Sequence, residues 1–144
     1  MYLVTRTITR PNTSVPFLEE QEDATASLNR HQLIVQLFAA PGFVKQVKYM
    51  SNDKLTRITN TWWQTEALHA AFLQDPKNKS IIDAIQLASE AHNTATGIIE
   101  TLKISRISYK AYKAGETAKN AAMSVEMAKE KAKKQPNTPP PSQG

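Results

Sequence analysis

Residues 55–76, LTRITNTWWQTEALHAAFLQDP, constrain this chain more than any other stretch. They read as a strand that ends on tryptophan and turns directly into an amphipathic helix. The strand half is rich in β-branched and aromatic residues. Thr65 stands where an N-cap belongs, and Glu66 follows at the positive end of the helix dipole. Leu68, Ala71 and Phe72 then face inward together. A strand that passes so abruptly into a helix predicts a small sheet backed by helices. It names no reaction.

The flanking segments extend this pattern. Tyr2 to Arg10 alternates and predicts a first strand, broken by Pro11, Asn12 and Pro16. An acidic loop comes next, with Glu19, Glu20, Glu22 and Asp23. Residues 24–40 predict a helix buried through Leu33, Ile34, Leu37 and Phe38, and Pro41-Gly42 stops it. Phe43 to Met50 and Lys54 to Trp63 predict an antiparallel hairpin around Ser51-Asn52-Asp53. After the interruption at Asp75-Pro76 the helix is expected to resume near Ser80. Ile81, Ile85, Ala88 and His92 form its stripe, and Asn93 and Gly97 end it. Gly97 to Tyr109 predicts a fourth strand. The order is β-α-β-β-α-β, so the fold class is α+β, ferredoxin-like, a four-stranded antiparallel sheet with helices on one face.

Charge separates this body from the C-terminal segment. Residues 1–109 are close to neutral, whereas residues 110–144 carry a net +4 of the chain's +5. We therefore expect three parts: a domain over 1–109, an Ala/Lys-rich helix over 110–134 and a disordered, Pro-rich tail over 135–144. Only the basic tail, with Lys129, Lys131, Lys133 and Lys134, could touch a nucleic-acid phosphate backbone or an acidic surface. A larger protein assembly is a second partner the tail would serve. The bland reading is a solvated appendage. No apolar run reaches the length of a membrane span, and the alternating opening does not resemble a signal peptide. With no cysteine, disulfides and thiolate sites are excluded. That suits a cytoplasmic protein.

The strand-Trp-helix segment resembles the antibiotic-biosynthesis-monooxygenase-like superfamily of dimeric α+β barrels. The resemblance rests on Leu55-Thr56, Trp62, the polar link Gln64 to Glu66, Ala67-Leu68 and the closing Asp75-Pro76. It implies that two sheets close face to face in a homo-oligomer, a dimer or higher. That would explain apolar residues on both strand faces, Ile58 and Trp62 on one, Leu55 and Trp63 on the other. Haem-degrading members use an Asn, a Trp and a His that fall by ungapped placement on Thr7, Ala71 and Ile81. None of the three matches, so no cofactor is expected. The segment TRPNTSVPF, residues 9–17, also resembles short proteins encoded by tailed phages, which would place the chain in a virion.

Individual side chains offer few catalytic signals. Trp62, Trp63, His92 and Arg6 are the ligand-pocket candidates. Their bland readings are a core ring, an interface ring, a helix-end imidazole and a solvated guanidinium. Arg6, Arg10 and Arg106 are expected to share one sheet face and could gather an anion. His31, His69 and His92 are isolated, with no carboxylate at ligand spacing, so no metal site is expected. There is no glycine-rich phosphate loop and no nucleophile elbow. These absences favour a non-catalytic structural or interaction protein. The alternative is a small cofactor-free oxygenase or ligand-binding protein of the same superfamily. An apolar cavity of about 300 Å³ or more with converging polar groups would reverse that order.

Overall fold

The computed structural model describes residues 1–108, 110, 112–116 and 118. Residues 1–107 form one compact unit. Its strands are β1 (Tyr2–Thr9), β2 (Phe43–Met50), β3 (Thr56–Trp63) and β4 (Ile99–Arg106). They pair antiparallel in the order β2-β3-β1-β4, the ferredoxin-like arrangement. Three helices connect them: α1 (Ala24–Phe38), α2 (Glu66–Gln74) and α3 (Pro76–Thr96). A second compact unit begins at Ser108. Lys110, 112–116 and Ala118 are helical. Lys129, Lys131, Lys133 and Lys134, and the boundary expected near residue 135, lie outside the described residues.

Local chemistry sets the element ends. The Asp23 carboxylate accepts from the Ala26 N–H at 2.8 Å, and Thr65 Oγ1 accepts from the Leu68 N–H at 3.2 Å. Both are N-caps. Gly42 sits at φ 83°, and an added Cβ there would approach the Leu68 Cβ at 2.7 Å. Only glycine meets both demands. Its carbonyl accepts from the Gln64 N–H at 2.8 Å, fixing the entry into α2.

The interruption at Asp75-Pro76 is shorter than the sequence suggests. α3 starts at Pro76 itself, not near Ser80, because Asp75 caps it, with its Oδ1 accepting from the Lys77 N–H at 3.0 Å. Proline suits the first helical position. It also removes the N–H that the Phe72 carbonyl would accept in a continuous helix. The buried Asn78 side chain replaces it, donating from Nδ2 to that carbonyl at 3.1 Å. Two strand boundaries also shift. β3 begins at Thr56, because Asp53 accepts from Ser51 Oγ and the Leu55 N–H while Lys54 turns left-handed at φ 65°. β4 begins at Ile99, because Gly97 closes α3 in the left-handed conformation.

The core occupies one end of the helix-facing sheet surface. Tyr2, Leu37 and Trp63 are buried there, with Phe43, Leu68 and Phe72 packed against them. Trp63 meets Phe43 edge-on at 5.9 Å and Phe72 at 5.5 Å. Phe38, the last residue of α1, is 60% exposed, contrary to its expected place on the buried stripe. Phe17, which the sequence leaves in a loop, is fully buried, with the Arg10 and Arg57 guanidinium groups 4.5 and 4.4 Å from its ring centroid.

Candidate functional site

Beyond the aromatic core the same sheet face stays open. A cleft of about 740 Å³ lies between the sheet and the helices. Leu33, Ile34 and Leu37 of α1 and Ile82 and Ile85 of α3 form its apolar walls. Leu102 of β4, 61% exposed, extends the apolar floor to the sheet edge. Trp63, His69 and Phe72 close the inner end.

The floor itself is polar, and strand register explains why. Positions alternate between sheet faces. On β3, Trp63, Thr61, Thr59 and Arg57 therefore face the helices, while Trp62, Asn60 and Ile58 face away. One row across the four strands holds Lys48, Thr59, Arg6 and Leu102. The next holds Gln46, Thr61, Val4 and Ile104, where Gln46 Nε2 donates to Thr61 Oγ1 at 3.1 Å.

Charged residues rim the far end. Arg6 pairs with Glu100 at 3.0 Å, and Arg57 pairs with Glu19. Arg30 Nε donates to Glu22 at 2.7 Å. Burial, helped by the neighbouring Arg10, lowers the Arg57 pKa from its ordinary value. At the inner end burial lowers that of His69, against the opposing pull of Glu66. The neutral imidazole is thereby favoured, between Trp63 at 5.2 Å and Tyr2 at 5.3 Å.

The pocket candidates separate. Trp63 and Arg6 line the cleft. Trp62 lies on the opposite face, with the Lys45 ammonium 4.7 Å above its ring. His92 is bonded through Nε2 to the Pro16 carbonyl at 2.8 Å, so it anchors the loop that carries Phe17. Arg6, Arg10 and Arg106 do share a face, yet they do not gather. Four residues along a strand, about 13 Å, separate the Arg6 row from that of Tyr2 and Arg106. Arg106 pairs with Glu66 at 2.8 Å, and Arg10 donates to the Lys54 and Val15 carbonyls. Thr7 of the haem comparison lies on the outer face, next to Ile58. Sequence reasoning missed Lys48, Thr59 and Thr61. Counting by twos back from Trp63 would have found the two threonines.

Three solved structures align with this chain at low similarity. A conserved protein from Methanosarcina mazei Go1 has a TM-score of 0.49 at 14% identity, covering 75% of this chain and 94% of that one. The cofactor-independent oxygenase SnoaB from Streptomyces nogalater has a TM-score of 0.44 at 12% identity, covering 75% and 95%. A structure described as an antibiotic biosynthesis monooxygenase has a TM-score of 0.46 at 8% identity, covering 75% and 99%. No protein-family model and no curated protein matches the chain. The likeness of residues 9–17 to phage proteins gains no support from these relatives. Among the described residues no helix is long and apolar enough to cross a membrane.

Proposed function

We propose that the chain is a small-molecule-binding protein whose cleft takes up a largely apolar organic ligand. The cleft carries this reading. At about 740 Å³ it is larger than the volume at which ligand binding outweighs a purely structural role, and polar groups converge on its floor between apolar walls. The neutral naphthalene dye prodan tests it. Prodan should bind saturably at one per chain, with a blue-shifted emission and energy transfer from tryptophan. Ile85→Trp should narrow the cleft and abolish the signal. Prodan emission unmoved by the wild-type protein overturns the reading.

A second reading adds chemistry, cofactor-independent oxidation by dioxygen, as the sequence resemblance implies. The position of His69 favours it. A neutral imidazole at the closed end of an apolar cleft can accept a proton from an acidic C–H or O–H. In such a step a methylene and dioxygen give a carbonyl and water. Oxygen uptake with hydroxy-aromatic substrates, lost in His69→Phe, tests this reading. Uptake that is equal in the variant counts against it.

The outer sheet face is proposed to pair with a second copy. Tyr49 and Ile99 are 49% and 65% exposed there, and Trp62 and Ile58 stand on the same face. Sedimentation at micromolar concentration tests this. A clean monomer counts against it.

A further inference from the structure

The cleft floor contains a cluster of positive charge that the fold does not fully neutralise. Thr59 stands at its centre. Lys48 and Arg6 flank it in register on the adjacent strands, each about 5 Å away across the sheet. Arg57 precedes Thr59 by two residues on the same strand and points to the same face. Three cations therefore surround one hydroxyl, in chain segments brought together only by strand pairing. Two of them have carboxylate partners, Glu100 for Arg6 and both Glu19 and Glu20 for Arg57. Lys48 is exposed and has no hydrogen bond or ion pair among the described residues. The low-polarity walls lie directly opposite, on α1 and α3.

The geometry points to an organic carboxylate as the ligand of this cleft, with its carboxylate over Thr59 between Lys48, Arg57 and Arg6 and its apolar body against Leu33, Ile34 and Ile85. This rests on the ligand-binding reading above and specifies its substrate class. Lys48 favours an anion, because it is the one of these three cations with no carboxylate partner among the described residues. Thr59 can donate to a carboxylate oxygen, which a hydrocarbon ligand would leave unused. The apolar walls favour a carboxylate attached to a ring system or chain over a free inorganic anion. An arginine partly withdrawn from water, as Arg57 is, attracts an anion more strongly than a fully solvated one.

The test compares anthracene-9-carboxylate with 9-anthracenemethanol on the full chain, each displacing prodan. The acid should bind about tenfold more tightly than the alcohol, as one charge-assisted contact supplies. Its advantage should shrink as salt rises. Lys48→Gln changes an exposed side chain and should close most of the gap between acid and alcohol. Inorganic phosphate should not displace prodan at concentrations where the acid does. Equal affinity for acid and alcohol, with prodan still bound, overturns the carboxylate assignment and leaves the ligand-binding reading in place. A gap that survives Lys48→Gln unchanged also overturns the assignment. Failure of prodan, acid and alcohol alike overturns both.

Discussion

At one end of the helix-facing sheet surface, Tyr2, Phe43 and Trp63 fill the space beneath α2; at the other, Lys48, Thr59, Arg57 and Arg6 leave it open. The same strands supply both ends. On β3 the inward positions run from Arg57 through Thr59 and Thr61 to Trp63, so hydrophobicity rises along a single strand. A buried indole excludes water and contributes stability through contact with its neighbours. Threonine is too short to meet the opposite helix, and a charged end must stay hydrated or paired. One end of the interface therefore carries the fold, while the other is free to hold a ligand.

The largest test of this contrast is Trp63→Ala. It should cost about 3–5 kcal/mol, read from urea unfolding by circular dichroism. A loss below about 1 kcal/mol would mean that the aromatic end is not the core. Gly42→Ala should cost about 1–3 kcal/mol, because it forces alanine to positive φ and against Leu68. Adding Leu68→Ala should not restore wild-type stability, since the backbone strain remains.

A smaller effect concerns pH. Burial holds the folded-state pKa of His69 below its ordinary value of 6.5. The unfolded chain therefore takes up the proton first as pH falls. The contribution is complete above about 6.5 and is lost as pH drops through the folded value. His69→Phe should flatten the dependence of stability on pH below 6.5 without altering it at pH 8. An unchanged slope would assign the dependence to another group. The smallest expected effect is at the open end. Lys48→Gln should change stability by no more than about 0.5 kcal/mol. A larger loss would show that the floor cations hold the fold as well as facing the cleft.

Much of the architecture was legible in the chain. Alternation located the strands, and the caps at Asp23 and Thr65 match residues whose short oxygen side chains satisfy free helical N–H groups. The turn at Asp53 and the stop at Gly97 follow from the same local chemistry. The candidate site was less legible. Trp63 and Arg6 line the cleft, but Trp62 and His92 face elsewhere. A Trp-Trp pair at a strand end cannot say which ring points inward until the strand's faces are assigned. His92 shares a helical stripe with apolar residues, yet the carbonyl it meets belongs to a loop 76 residues away in the chain.

The sequence alone determined the element order, the starts of α1 and α2, and the division between a neutral body and a basic C-terminal segment. Each depends on neighbours within a few residues, where helix period, strand alternation and capping act directly. Tertiary structure decided that Arg6, Lys48 and Arg57 surround Thr59, that Phe17 packs against two arginines, and that the space above the floor remains open. These depend on which strand pairs with which and in what register. A one-residue slip would turn every one of those floor side chains to the other face of the sheet.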